Sequence, residues 1–546
     1  MGSLEFLTIT DMLQASFKDF ANNQSLVFAG ESGNRTYAQL EIEVKKAALQ
    51  LQSIGVKKGD KVAILSLNMP QWGIAFFATS IIGAVVVPIL PDFHPNEIKN
   101  ILDHAEVTVV YVSETLRNKL QPAAGQTIIQ IETFILLSGT IQAVFDQMDE
   151  SQFVYEKIEE QDLASIIYTS GTTGKSKGVM LTHKNIVWTA QQCWMIQNIF
   201  PSDRFLSVLP LSHTFENTLV LIFPIKYGAS VHYLQKPPVA SVLLAALKQV
   251  RPTIMLIVPL IIEKIFKTRI LPQINSKFTT RLLYKVPPFR KLLHKVAGKK
   301  LYETFGGQLK FFGIGGAKLD DQVERFLMEA GFPLAIGYGM TESSPLLAGA
   351  GVGKTRFLST GPAMPGVKLR IAPTDKKNGQ GEIQAKGENV MLGYYKEPSL
   401  TKEAFTKDGW LKTGDLGYFD KDGNLYIKGR IKNMIVGASG ENIYPEEIES
   451  VINRMDYVLE SLVVQQKGRL VALVYLNMEE LETKYRHMKT EAVSFLNERA
   501  EEILKEIQHK VNEEVNKFSK IQGIVLHPIP FEKTPTQKIK RFLYYA

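Results

Sequence analysis

The sequence predicts an α/β protein: a large N-terminal doubly wound α/β body with a β-rich subdomain, followed by a small α+β C-terminal domain. Three observations predict it. Short β-rich apolar runs (VAILSL, VTVVYV, ASIIYTS, PTIMLIV) alternate with helical stretches to about residue 345, the pattern of parallel strands joined by helical crossovers. After Gly351 the texture changes to short strands between Gly-rich turns, GVKLRIA, GQGEIQAKG and GNLYIKG, as in a small barrel or meander. Beyond GRIKNMIV a compact segment mixes a helix from Pro445, strands LVVQQ and LVALVYL, and a long final helix.

Taken in order, the uncharged stretch Val62–Pro91 is long enough to raise a membrane span, but Asn68, Pro70, Gln71 and Pro88 divide it. It reads instead as strand VAILSL, helix PQWGIAFFATSIIGA and strand VVVPIL, a buried βαβ unit. ASIIYTS is a further strand, and TSGTTGKSKG follows it directly. In the C-terminal segment Leu496, Ala500, Ile503, Ile507, Val511, Val515 and Phe518 step by three or four, one apolar stripe of a long helix. The domain boundary is placed near Arg430–Asn433, giving 1–431 and 432–546.

The chain has 546 residues, 45% of them hydrophobic and 22% charged, enough for large cores and no sign of disorder. Cys193 is the single cysteine, so no internal disulfide framework exists and a reducing compartment is expected. No Cys/His spacing suggests zinc; any metal is expected to be a hard cation. MGSLEFLT lacks a basic region before an apolar run and carries Phe6 where myristoylation needs a hydroxyl, so neither a signal peptide nor an acyl anchor is expected there. Net charge is +8, yet Lys264–Tyr302 alone holds eleven Lys/Arg and no acid. The basicity is local, alternating with LLYKVPPF and RKLLHKV. That texture suits an anionic lipid surface or an acidic partner protein, with a solvated helical face as the plain alternative. No nucleic-acid partner is expected.

YTSGTTGKSKG holds the strongest chemical signal. Glycines let consecutive backbone N–H groups turn toward an anion, and the hydroxyls add donors around phosphate oxygens. At the C-terminal end of a strand such a loop stands where open α/β sheets place ligands. A Walker-type P-loop is excluded by spacing: it needs four residues before Gly-Lys-Ser/Thr, whereas Gly171-Thr172-Thr173-Gly174-Lys175-Ser176 has two.

These residues resemble the phosphate-binding signature of the adenylate-forming enzymes, which include acyl-CoA ligases, firefly luciferase and the adenylation domains of peptide synthetases. Further segments resemble that family's signatures in order: GIGGAKL (313–319), YGMTE (338–342), TGDLGYFDKDG (413–423), GRIKNMIVGASGENIYPEEIE (429–449) and TPTQKIKR (534–541). The resemblance implies a two-step reaction. A carboxylate attacks the α-phosphorus of ATP with loss of pyrophosphate, and a thiol then captures the acyl-adenylate. It also implies a mobile C-terminal domain and ATP, Mg2+ and CoA as cofactors.

Residue by residue, the resemblance implies that Thr169, Ser170, Gly171, Thr172, Thr173, Gly174 and Lys177 form the cradle for the β- and γ-phosphates, with Lys175 a solvated neighbour. Glu342 is implied as the magnesium ligand, Thr341 as a partner of the α-phosphate, and Tyr338 with Gly339 beside adenine. Asp415 is implied on the ribose hydroxyls and Arg430 on ribose or phosphate. Taken alone, Glu342 also reads as a surface acid, Asp415 as a turn residue and Arg430 as a surface charge. Lys538 resembles the lysine that bridges the attacking carboxylate and the α-phosphate; Gln537 before it stands where many relatives have Gly, a departure shared with long-chain enzymes. Lys432 falls at the family's hinge, although Asn433 replaces the acid expected beside it. Gly440 is implied in the approach of the pantetheine arm, a plain hairpin turn being the alternative.

PLSHTFE resembles the acyl-pocket segment of long-chain fatty acid ligases. It implies His213 at the carboxylate end of the pocket, against the alternative of a satisfied core histidine. Gly315, Gly316 and Ala317 are implied as the small border between adenine and acyl chain. At about 0.8 kcal/mol per buried methylene, a sixteen-carbon acid gains on the order of 10 kcal/mol over acetate. The resemblance at His213 and Gln537, with the basic stretch 264–302, implies a long-chain fatty acid as substrate and CoA as thiol, with acyl carrier protein as the alternative acceptor. The expected place is cytoplasmic, peripheral at the inner membrane face through 264–302.

Overall fold

The computed structural model describes residues 7–545 apart from 32–34, 124, 139–142, 171–175, 276–277, 374–378, 438–440, 486–491 and 535–537. The chain forms two compact units. The first holds Met1–Arg370, Gln384–Lys412 and Phe419–Leu425; the second holds Ile371–Ile383, Thr413–Tyr418 and Tyr426–Ala546.

In the first unit the uncharged stretch becomes strand Lys61–Leu65, helix Pro70–Ile81 and strand Val85–Pro88, and the two strands pair in parallel with Val62 opposite Val86. Apart from Gln71 every residue of that helix is buried, which explains its hydrophobicity all round without a membrane. Among the described residues no helix is long and apolar enough to cross a membrane. These strands lie inside an eight-stranded sheet. Its order is Gly393–Tyr394, Ser176–Thr182, Leu163–Ser170, Val85–Pro88, Lys61–Leu65, Val107–Val112, Thr127–Gln130 and Ile135–Leu136.

A second, seven-stranded sheet runs Leu26–Phe28, Ser230–Tyr233, Arg204–Ser207, Ile254–Ile257, Phe311–Ile314, Leu334–Gly339 and Leu346–Gly349. Every pair is parallel except the last, which is antiparallel. One large core packs this sheet against helices through Met255, Ile257, Phe312, Phe326 and Leu327. The α/β architecture expected from the alternating runs is thus present, as two sheets.

The β-rich segment after Gly351 gives four strands, Lys368–Pro373, Gly381–Lys386, Leu411–Phe419 and Leu425–Arg430, side by side in chain order. This is a meander; Gly393–Tyr394, from the same stretch, joins the eight-stranded sheet instead.

In the second unit strands Val458–Gln466 and Arg469–Leu476 form a hairpin. Lys467 and Gly468 turn it, both with positive φ, the two-residue connection that matches strand twist. Gly523–Leu526 adds a parallel strand, and helices Pro445–Ile452 and Ala492–Glu514 complete the unit. The stripe expected on the long helix is corrected at one end. Ala500, Leu504, Ile507 and Val511 are buried, while Phe518 is exposed beyond the helix, which stops at Glu514. Leu504 completes the face because it stands one turn after Ala500.

The basic stretch folds in the first unit as consecutive helices, ending in Phe278–Tyr284 and Pro287–Thr304. Tyr284 Oη lies 3.0 Å from His294 Nε2, and the Arg290 guanidinium donates to both Glu329 oxygens at 3.1 and 2.7 Å. The first contact ties these two helices together, and the second ties the longer one to helix Asp321–Ala330. Leu282, Leu283, Val286, Phe289, Leu292 and Val296 point to solvent among Lys285, Lys291, Lys295 and Lys299.

Candidate active site

Two strands of the seven-stranded sheet end side by side. Ile314 stands opposite Ile336 in a parallel pair, so GIGGAKL and YGMTE leave the same edge of the sheet, where ligands of open α/β sheets bind. Gly315 N–H donates to Ile257 O at 3.2 Å. A Cβ on Gly315 would stand 3.1 Å from Cζ of Phe215, so PLSHTFE and GIGGAKL pack together. Gly316 and Ala317 are exposed. His213 Nδ1 accepts from Phe215 N–H at 3.2 Å and caps the turn Thr214–Glu216.

The turn that carries His213 hangs on a buried carboxyl. Glu216 Oε1 accepts from Ser207 Oγ at 2.6 Å, Val208 N–H at 3.1 Å and Leu209 N–H at 3.4 Å. Asn68 Nδ2 donates to Ser207 Oγ and Leu209 O, and its Oδ1 accepts from Leu211 N–H. Burial pushes the Glu216 carboxyl up to about 8, against the lowering effect of its three donors.

Tyr338 is buried opposite Ala348. At Gly339 a Cβ would fall 1.7 Å from Pro345 O, so the chain closes there only with glycine. Thr341–Ser343 form a single 3₁₀ turn, with Thr341 half-buried and Glu342 only 9% exposed.

The phosphate signature begins in strand Leu163–Ser170 and returns in the antiparallel strand Ser176–Thr182, with Thr169 opposite Lys177 and Ser170 opposite Ser176. Gly171, Thr172, Thr173, Gly174 and Lys175 lie outside the described residues. The Lys177 ammonium sits over the Tyr394 ring, 5.0 Å from its centroid, and the Tyr394 hydroxyl donates to Glu342 Oε1 at 2.9 Å. Burial and the neighbouring Glu342 raise the Tyr394 hydroxyl far above its ordinary value, so it is a donor at every physiological pH.

Segment 389–395 joins these parts. Asn389 Nδ2 donates to Ser343 O and Leu346 O, Met391 N–H to Glu342 O, Leu392 N–H to Met180 O and Tyr395 N–H to Gly178 O. It therefore straps the Glu342 turn to the strand of Lys177. Sequence reasoning missed Tyr394. The dipeptide Gly393-Tyr394 carries no charge pattern or spacing that marks it, and only tertiary contact shows its position.

In the second unit Asp415 is buried on strand Leu411–Phe419, and its backbone N–H donates to Thr413 Oγ1 at 3.1 Å. Arg430, at the end of the next strand, brings Nε within 2.9 Å of Asp415 Oδ1. Lys432 is exposed in the 3₁₀ turn Ile431–Asn433. Asn433 Nδ2 donates to Glu446 Oε1 at 2.5 Å, a bond that the expected acid could not make, and this accounts for the amide. Gly440 lies outside the described residues. Lys538 is exposed; its N–H donates to Thr534 Oγ1 at 3.2 Å and its C=O accepts from Thr534 N–H at 2.8 Å. Arg541, just beyond it, pairs with Glu449.

The donor set around Glu342 fits a hard cation. Among the described residues no three His, Cys, Asp or Glu side chains gather as a protein cage. A cation at this carboxylate would complete its shell with phosphate and water oxygens, the usual manner of magnesium.

Comparison with known proteins gives the same picture. Residues 13–395 match the family described as AMP-binding enzyme. The long-chain-fatty-acid–CoA ligase heimdall of Drosophila melanogaster is 30% identical over 82% of this chain and 72% of its own. Long chain acyl-CoA synthetase 4 of Arabidopsis thaliana is 28% identical over 97% and 89%. ATP-bound MatB from Rhodopseudomonas palustris shares the fold with a TM-score of 0.77 at 22% identity, over 98% of both chains. The fatty acyl CoA synthetase of Mycobacterium tuberculosis does so with 0.68 at 22%, over 99% of this chain and 98% of that one. A match spanning most of the first 395 residues, over motifs that meet at one sheet edge, establishes that the chain belongs to the AMP-binding enzymes, the adenylate-forming family.

Proposed function

We propose that this adenylate-forming enzyme is a long-chain fatty acid–CoA ligase: it joins a long-chain fatty acid to CoA through an acyl-adenylate, releasing AMP and pyrophosphate. The observation that carries the reading is the arrangement Lys177–Tyr394–Glu342, which places a cation and a carboxylate on one aromatic side chain. The names of its relatives supply the acyl class, and the contact of Phe215 with Gly315 supports an acyl passage beside the nucleotide.

In the first step a carboxylate oxygen bonds to the α-phosphorus of ATP while the bond to pyrophosphate breaks. In the second a thiolate attacks the acyl carbonyl and AMP leaves. Two anions must meet, so the chain's work is positioning and charge neutralisation. Thr169, Ser170, Thr172, Thr173 and Lys177 hold the outer phosphates, Thr341 the α-phosphate, Tyr338 the adenine, and Asp415 with Arg430 the ribose. Glu342 holds magnesium, which when bound offsets phosphate charge. His213 orients the acid, and Lys538 steadies the pentavalent phosphorus. The parts 1–431 and 432–546 reorient about Lys432 between the two steps, and Gly440 admits the pantetheine arm.

The exposed apolar side chains from Leu282 to Val296, set among lysines and with no acid from Lys264 to Tyr302, support peripheral contact with an anionic membrane, the place from which a long-chain acid is drawn. The same charge favours acyl carrier protein as a second acceptor, since its pantetheine-bearing surface is acidic.

The test incubates the full chain with palmitate, ATP and magnesium, and measures AMP and thioester with CoA, with acyl carrier protein and with neither. Thioester with CoA supports the proposal. Thioester with carrier protein alone moves the function to the second acceptor, and no palmitate-dependent AMP in any mixture overturns the long-chain reading.

A further inference from the structure

We infer that Tyr394 is the positioning residue of the nucleotide–magnesium site, setting the Glu342 carboxylate through its hydroxyl and the Lys177 ammonium through its ring. The inference rests on the proposed roles of Glu342 and Lys177 but not on the identity of the acid.

Two opposite charges on flexible side chains would ordinarily collapse onto each other or scatter among rotamers. Here one rigid side chain separates them. The Tyr394 hydroxyl donates to Glu342 Oε1 at 2.9 Å, which fixes the plane of the carboxylate and limits which lone pairs remain for a cation. Its ring face takes the Lys177 ammonium, 5.0 Å from the centroid, an attraction that leaves the lysine its positive charge. The tyrosine itself is fixed by its backbone, because Gly393 and Tyr394 pair with Met180 and Val179 and Tyr394 N–H donates to Thr401 Oγ1 at 2.8 Å.

A tyrosine serves both neighbours for a chemical reason. Its hydroxyl donates to Glu342, and its π face attracts a cation where an aliphatic side chain offers no such attraction. Phenylalanine keeps only the second property and leucine keeps neither, which separates the two roles experimentally.

ATP binding to the full-length protein is measured by calorimetry across a magnesium series and again in EDTA, for wild type, Tyr394→Phe, Tyr394→Leu and the neighbour control Tyr395→Phe. Tyr394→Phe is expected to raise the half-saturating magnesium concentration about tenfold, the usual scale for a lost hydrogen bond to a charged group. Its affinity for ATP in EDTA and its KM for the acid should stay within about twofold of wild type. Tyr394→Leu is expected to weaken ATP binding in EDTA as well, because Lys177 loses its seat. Tyr395→Phe should match wild type throughout. A magnesium dependence of Tyr394→Phe equal to wild type overturns the inference, and so does a Tyr394→Phe protein that loses magnesium, ATP and acid binding alike. Since nucleotide binding is read without any acid present, failure of palmitate as a substrate leaves this test standing and is recognised separately.

Discussion

Arg430 Nε lies 2.9 Å from Asp415 Oδ1, across the adjacent strands Leu425–Arg430 and Leu411–Phe419. Asp415 is buried while the Arg430 side chain is 46% exposed, so the pair joins a buried carboxylate to a cation that solvent and ligands can reach. The proposed function puts the ribose on this pair. Asp415→Asn and Arg430→Lys are each expected to lower kcat/KM for ATP by about 10- to 100-fold, the scale of a lost charged hydrogen bond. KM for the acid should barely move. Steady-state kinetics with each substrate varied in turn checks this; an equal loss for both substrates would mean that the pair only supports the fold.

Lys538 stands exposed beside Ile539, which bridges to Lys533; under the proposed function its ammonium acts only in the adenylation step. Lys538→Ala is expected to slow adenylation at least about 100-fold, as removal of a preorganised charge from a transition state does. Thioester formation from supplied palmitoyl-adenylate should stay near the wild-type rate. The two half-reactions, followed by pyrophosphate release and by thioester appearance, separate these outcomes.

Glu216 gives a pH dependence with a definite sign. Its carboxyl is held at about 8 in the folded chain, against an ordinary value of 4.5. Between those values the folded state keeps a proton that the unfolded state has lost, so this group's contribution to stability is full below pH 4.5 and declines as pH rises toward 8. The slope is at most about 1.4 kcal/mol per pH unit. Relative to Glu216→Gln, wild type should lose Tm steadily from pH 5 to pH 8 and no further above it. Parallel Tm curves for the two proteins would show that the carboxyl titrates normally.

The stripe Leu282, Val286, Phe289, Leu292 and Val296 should carry the chain to lipid. Wild type is expected to float with vesicles containing anionic lipid at low salt and to be released as salt rises, because each nearby lysine contributes about 1 kcal/mol through a screened potential. The double variant Phe289→Ser, Leu292→Ser should stay in the aqueous layer with its palmitate-free ATP binding intact. Equal flotation on neutral and anionic vesicles would contradict the charge argument.

Much of the fold was legible because its signals are local. The division of Val62–Pro91 by Asn68, Pro70 and Pro88 marks strand, helix and strand, and the structure puts all three near those limits. The position of the phosphate signature after ASIIYTS follows from the same alternation. What was not legible depends on distance along the chain. Gly393-Tyr394 lies within the β-rich segment, yet it pairs with Val179 and Met180, more than 200 residues earlier in the numbering. Asn433 departs from the acid expected at the hinge, and its reason lies further along the chain, where Glu446 accepts its amide proton. Phe518 fitted the helical step, but periodicity does not report that a helix has already ended at Glu514.

One feature of the Glu342 turn bears on inheritance. With Pro345 O occupying the place of any Cβ on Gly339, every codon change that adds a carbon there forces two backbones apart beside the carboxylate. Random mutagenesis under selection for adenylation should leave that codon synonymous. The width of a single hydrogen atom, rather than any charge or chemical group, thus limits how this stretch of the gene can evolve.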